Sequence, residues 1–142
     1  METGDLNRFV LAQEKQYEIA LSEIRNGKKR SHWMWYIFPQ LTGLGRSGTA
    51  KLYGIKNAEE AKSYLQHPLL GKRLEEISNV LLNLNNSNAQ SIFGTPDNLK
   101  LRSCMTVFSE VPGASPVFEK VLEKFFNGVK DPLTMKLLQA PT

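Results

Sequence analysis

Apolar residues in this chain recur at intervals of three and four, and no stretch alternates apolar with polar over several strand lengths. That periodicity admits helices and argues against a sheet, because a strand shows its two faces at every second residue. Leu6, Phe9, Val10, Tyr17, Leu21 and Ile24 put one apolar face on a helix from Asp5 to Asn26. Gly27 then stands where a helix ends in a left-handed residue. Ser31 to Phe38 suits a buried strand by residue type, but Ser31 is a good N-cap and Pro39 a natural stop, so a helix is expected there.

The rest of the chain is punctuated by caps and prolines. Ser47 precedes a short helix carrying Ala50, Leu52 and Tyr53, and Asn57 with Glu60 has the spacing of a capping box. His67 before Pro68 is read as an N-cap with proline in the first helical position, opening a helix with Leu70, Leu74, Ile77, Leu81 and Leu84 inside. After a short turn around Ile92 and Phe93, Asp97 caps a helix holding Leu101, Met105 and Phe108. Ser115-Pro116 and Asp131-Pro132 repeat the cap-and-proline device. The expected fold is all-α, a single helical domain over residues 1–142 with about seven or eight helices.

With 142 residues there is room for one domain, and 41% apolar against 23% charged residues excludes a disordered chain. The longest apolar run, Trp33 to Phe38, is far short of the ~20 residues that span a bilayer, and no signal-peptide pattern follows Met1. Cys104 is the one cysteine, which excludes an internal disulfide framework and a multi-cysteine zinc site; on its apolar-periodic helix it reads as a buried, inert thiol. A cytoplasmic protein is expected, with no membrane partner, no metal and no cofactor. His32, His67 and Asp97 lack metal-ligand spacing. The net charge of +4 is concentrated at Arg25, Lys28, Lys29 and Arg30, followed by Arg46 and Lys51. Such a cluster reads either as a solvated helix end or as an attractor for phosphate. Nucleic acid is disfavoured, since a longer basic stripe or a known module is missing.

The run from Lys29 through Ser31 to Leu41, with the Trp33, Trp35 and Tyr36 cluster, Pro39-Gln40 and then Gly43-Leu-Gly45, closely resembles the signature of a bacterial domain-of-unknown-function family, number eighteen-ten, sometimes called calpastatin-like. Matches continue at Phe9, Gln13, Tyr17, Tyr53-Gly-Ile55, His67-Pro68, Ile92-Phe93-Gly94, Asp97 and Lys100-Leu-Arg-Ser103, so the likeness covers nearly the whole chain. It implies a helical single-domain protein and supplies no reaction. Calpastatin acts through disordered segments, for which this chain is too apolar. The order of parts is also similar to small helical proteins acting on ADP-ribose-type N-glycosidic bonds, but their catalytic residues have no one-to-one counterparts here and none are transferred.

The candidate site is the stretch from His32 to Tyr53. Flat rings stack on a base, and on a helix His32, Trp35 and Tyr36 share one side, with Trp33 pointing elsewhere. Glycines 43, 45 and 48 with Arg46 and Ser47 would offer backbone N–H groups and a guanidinium to phosphate, although neither a Walker ending nor a dinucleotide fingerprint is present. The expected ligand is a small anionic, nucleotide-like or ADP-ribose-like molecule held by Trp35, Tyr36, Gln40, Arg46, Ser47 and Tyr53, with His32 as the catalytic proton-transfer group. Each residue also has a plainer role. Trp33 and Trp35 can be core, Gln40 a turn residue, Ser47 a cap, Arg46 a solvated loop charge and His32 a backbone donor. The alternative function is a non-enzymatic adaptor that docks an acidic protein partner through the basic turn.

Overall fold

The computed structural model describes residues 6–44 and 47–139 of the chain. Among them are ten helices and no named strand. They are α1 (Asn7–Gln13), α2 (Tyr17–Arg25), α3 (Met34–Ile37), α4 (Gly48–Leu52), α5 (Ala58–Gln66), α6 (Leu70–Asn83), α7 (Ala89–Phe93), α8 (Asp97–Ser109), α9 (Val117–Phe126) and α10 (Pro132–Gln139). The all-α expectation holds and the helix count is higher than expected. Two departures account for this. The helix expected from Asp5 to Asn26 is interrupted after Gln13, where Glu14 N donates to Leu11 O and Gln16 N to Gln13 O in tighter i→i+3 bonds. The two pieces keep one buried face in register, Phe9 and Gln13 on α1 and Tyr17, Ala20, Leu21 and Ile24 on α2, so apolar spacing gives no sign of the break. The turn around Ile92 and Phe93 is itself a short helix, α7, capped by Asn88 Oδ1 accepting from Ser91 N.

Helix α8 runs through the middle of the array and packs against α5, α7, α9 and α10, while α6 lies against α2, α5 and α9. Leu101, Cys104, Met105 and Phe108 of α8 are fully buried. Phe108 continues an aromatic line from Phe118 through Tyr64 to Phe9, with centroids 5.9, 5.3 and 5.2 Å apart. A second cluster joins Trp33, Phe38 and Phe93 at 5.8–6.5 Å. Rings of this size each remove about 150–250 Å² from water, so these two clusters carry much of the folding drive. Burial pushes the Cys104 thiol well above its usual range, as expected for an inert core cysteine.

Three N-caps fall where the residue types place them. Ser47 Oγ accepts from Ala50 N, Asn57 Oδ1 from Glu60 N and Asp131 Oδ2 from Thr134 N, at 2.9–3.0 Å. His67 Nδ1 accepts from Leu69 N and Leu70 N, although α6 itself starts at Leu70, later than proline-first spacing suggests. Four cap assignments are corrected: the N-caps of α6 and α9 are Leu69 and Pro116, two residues beyond His67 and one beyond Ser115, and the other two are displaced by a charged partner. Ser31 does not cap α3, whose N-cap is Trp33, because its hydroxyl is bonded to Glu23. Asp97 is the first residue of α8 and not its N-cap, since its carboxylate holds two lysines. At the far end of α6, the Lys124 ammonium donates to three carbonyls, Leu81 O, Leu82 O and Leu84 O, and so ties α9 to the end of α6. Desolvation lowers the pKa of that ammonium.

Two backbone contacts demand glycine. Leu41 and Ile55 form an isolated parallel bridge, with Thr42 N donating to Ile55 O and Ile55 N to Gln40 O. A Cβ on Gly54 would stand 2.9 Å from Thr42 Cα, so the bridge leaves room for glycine alone at that position. On α6, a Cβ on Gly71 would lie 2.0 Å from Leu65 O and 2.7 Å from Leu65 C, both backbone atoms that cannot swing aside. Gly71→Ala is expected to destabilise the fold by about 3 kcal/mol, the upper end for overpacking, and to lower the urea midpoint without changing its slope. An unchanged midpoint would show that the α5–α6 corner yields at little cost.

Candidate functional site

The site begins at the end of α2. Gly27 adopts φ +75°, Gly27 N donates to Ile24 O and Lys28 N to Glu23 O, the paired bonds of a Schellman cap. The chain then folds back over Glu23. Its Oε1 accepts from Arg30 N (2.7 Å), Ser31 N (3.0 Å) and Trp33 Nε1 (2.9 Å), and its Oε2 from Ser31 Oγ (2.5 Å). Partial burial pushes the Glu23 pKa up, but these four donors outweigh it and hold the carboxyl at about 2. The indole of Trp33 is thereby drawn wholly inside. Trp33 is therefore core, and Trp35 is half-buried beside it in sequence but on a different face.

Helix α3 splits its two outer rings between neighbours. The Trp35 indole lies under the Lys100 ammonium of α8, 4.2 Å from the ring centroid. Lys100 Nζ is 3.1 Å from Asp97 Oδ1, and Asp97 Oδ2 is 2.9 Å from the Nζ of Lys29, whose side chain is only 8% exposed. Partial burial pushes the Asp97 carboxyl up, yet the two ammonium groups hold it below its usual range. Tyr36 turns the other way and meets the Tyr53 ring edge-on at 5.2 Å, and Tyr53 in turn packs on Phe9 at 5.9 Å. Burial raises the Tyr36 phenol above its usual range, with Tyr53 adding to it. Its hydroxyl donates to His32 O at 3.1 Å.

A buried amide fixes this segment from behind. Gln13 Nε2 donates to Tyr36 O at 2.7 Å and to Tyr64 Oη at 3.0 Å, while Arg73 Nη1 reaches Gln13 Oε1 at 3.4 Å. Tyr64 touches Phe9, Phe9 touches Tyr53 and Tyr53 touches Tyr36, so the ring and the carbonyl of Tyr36 belong to one closed circuit. Burial drives the Tyr64 phenol up beyond its normal titration range.

The residues proposed from sequence therefore divide. Tyr36 and Tyr53 are in contact, His32 is exposed and joined to Tyr36 through its carbonyl, and Trp35 lies on the adjoining edge of α3. Gln40 is 5% exposed with its carbonyl in the bridge to Ile55, and Ser47 caps α4. Arg46 lies outside the described residues. Arg102 and Thr106, polar groups of α8, anchor Asp131 at the start of α10. The family pattern includes Gln13 and Lys100, but sequence reasoning assigned neither a role at the site. The polar Gln13, four residues from both Phe9 and Tyr17 on one buried face, was the available signal; nothing marked Lys100 as Trp35's partner. It also did not point to a cavity of about 290 Å³ between Leu41, Lys56, Asn57, Leu137 and Leu138. Among the described residues, no group of three or more His, Cys, Asp or Glu side chains could hold a metal ion, and no helix is long and apolar enough to cross a membrane.

A family model described as "Protein of unknown function (DUF1810)" matches residues 3–138. The chain is also similar to the crystal structure of the conserved hypothetical protein Rv1873 from Mycobacterium tuberculosis, with 45% identity and a TM-score of 0.95 over 99% of this chain and 100% of that one. No curated protein matches.

The Glu23 cluster sets a pH dependence. A carboxyl whose pKa falls from 4.5 unfolded to about 2 folded stabilises the fold fully above pH 4.5, and that stability drains away as pH drops toward 2. Glu23→Gln is expected to cost about 2 kcal/mol at neutral pH, as for lost hydrogen bonds to a charged group, and to flatten the fall in urea stability between those two pH values. Identical pH profiles for wild type and variant would overturn the assignment.

Proposed function

This chain belongs to the DUF1810 family, proteins of unknown function, and we propose that it binds a nucleotide-like anion of the ADP-ribose type at the outer edge of α3. The observation that carries this is the set of groups along that edge. An exposed imidazole, His32, stands just ahead of α3, and α3 carries a half-buried indole with an ammonium 4.2 Å from its centroid on one side and Tyr36, 5.2 Å from the Tyr53 ring, on the other. Aromatic faces accept a base at about 1–3 kcal/mol per stacked ring, and cations beside them favour a phosphate-bearing ligand. Trp35 would supply the ring on the side of α3 that Lys100 faces, and Tyr36 with Tyr53 the rings on the other side. Arg46, next to Ser47 in sequence, would meet phosphate. Ser47 and Gln40 would hold the described backbone nearby through the cap and the bridge. With such a ligand, the chemistry within reach is hydrolysis of the bond between base and ribose: His32 gives a proton to the leaving base, water adds to the ribose carbon, and the proton that the water loses returns to His32. We place this activity in the cytoplasm.

The second reading, a helical adaptor for an acidic protein, is favoured by one observation: Arg25 at the end of α2 and Lys28 and Arg30 on the rigid turn after it are exposed. Thermal melting with ADP-ribose separates the two. Ligand at a hundred times its Kd should stabilise the fold by about 2.7 kcal/mol and raise Tm by several degrees. Trp35→Leu should abolish the shift, and His32→Ala should abolish base release before it abolishes binding. In Trp35→Phe the buried Trp33 should show no quenching. No shift with ADP-ribose or other nucleotides at millimolar concentration would remove the ligand reading and leave the adaptor.

A further inference from the structure

We infer that the ligand of this site is a nucleoside di- or polyphosphate, its phosphates running from the α3 edge onto the turn that follows α2, where Arg25, Lys28 and Arg30 receive them. This rests on the ligand reading above and specifies the chemical class.

The argument starts from the difference between four cations that sequence alone presents as one cluster. Lys29 is turned inward, with its ammonium on Asp97 and on Ser31 O at 2.6 Å and its side chain almost wholly covered. The other three, Arg25, Lys28 and Arg30, are exposed, and among the described residues no acidic side chain pairs with them. Lys28 makes one long contact, 3.4 Å, to Ser91 O. The nearby carboxylate that would neutralise the turn, Glu23, faces inward and is saturated by four donors of the chain itself. Three unpaired cations therefore remain in a stretch of six residues.

The turn is also held still, so its charges are preorganised. The Schellman bonds fix Gly27 and Lys28, Lys29 N donates to Ile92 O at 2.8 Å, and Glu23 grips the backbone of Arg30 and Ser31. A fixed cluster holds an anion at a smaller entropic cost than one on a mobile loop. Its position relative to the rings follows from a chain of contacts. Lys29 meets Asp97, Asp97 meets Lys100 and Lys100 lies on Trp35, so the turn stands beside the ring surface and not across the molecule from it. Asp97 pairs with both inner lysines and offsets one of their two charges, and the outer three, which have no acidic partner among the described residues, set how many phosphates the site prefers. A single strand of nucleic acid needs a cationic groove tracking several nucleotides, whereas this is one spot, which favours a small polyphosphate.

The test is a titration of the full chain with adenosine, AMP, ADP and ATP, followed by calorimetry at low salt and again near about 0.5 M salt, where exposed charges are screened. Affinity is expected to rise about threefold with each added phosphate at low salt, in line with one exposed ion pair each, and the rise should vanish at high salt. The combined variant Arg25→Ala, Lys28→Ala and Arg30→Ala, folded with the melting temperature of wild type, should bind AMP as wild type does and show no rise from AMP to ATP. Equal affinity for AMP and ATP in wild type, or a rise that survives in the triple variant, overturns the inference while AMP binding leaves the ligand reading standing. Tighter binding of a short oligonucleotide than of ATP overturns it in favour of a strand. Failure of every nucleotide to bind removes the ligand reading and the inference with it.

Discussion

The placement of Trp33 depends on one carboxylate. An indole N–H buried without an acceptor would cost the fold the desolvation of a strong donor, and Glu23 supplies that acceptor from the last turn of α2. The same oxygen atoms hold the backbone at residues 30 and 31, so the reversal after Gly27, the depth of Trp33 and the start of α3 are set together. Once Trp33 is inside, Phe38 and Phe93 pack around it and α7 is drawn to the base of α8. The outward faces of α3, which carry Trp35 and Tyr36, and the exposed His32 just ahead of the helix follow from that inward one.

A second organising group is polar and equally buried. Gln13 occupies a position that helical spacing assigns to the core, and its amide links α1 to the backbone of α3 and to the hydroxyl of Tyr64 in α5. Buried amides that find partners for their donors specify one arrangement of the elements around them more sharply than an apolar side chain would. The aromatic edge of α3 is thus fixed on both sides, by Glu23 at its start and by Gln13 at its end. Preorganisation of this kind is what a binding surface requires, because a ring that must first be ordered loses affinity to that ordering.

Much of this was legible from residue types. The all-α class followed from the three-and-four spacing, and the caps at Ser47, Asn57 and Asp131 followed from short polar side chains placed just ahead of apolar faces. The separation of Trp33 from Trp35 was implied by helical geometry. What stayed hidden was long-range. Ser31 looks like a cap because its local sequence suits one, yet a carboxylate eight residues earlier takes its hydroxyl. Asp97 has the same local signature and is turned to Lys29, 68 positions away along the chain. The break between α1 and α2 was invisible because it leaves the buried face unshifted. Local propensity gives way in each case to a charged or buried partner that spacing cannot reveal.

The end of α6 shows how closely side-chain shape is matched to its task. The three carbonyls that meet Lys124 come from Leu81, Leu82 and Leu84 and converge on one ammonium. An ammonium presents three donors in a tripod, which suits such a fan, whereas the flat fork of a guanidinium is built for two parallel acceptors. Arginine, the usual conservative replacement, would keep the charge and lose the fit. Acetylation of the same nitrogen would leave one donor for three acceptors and loosen α9 from the helix it closes.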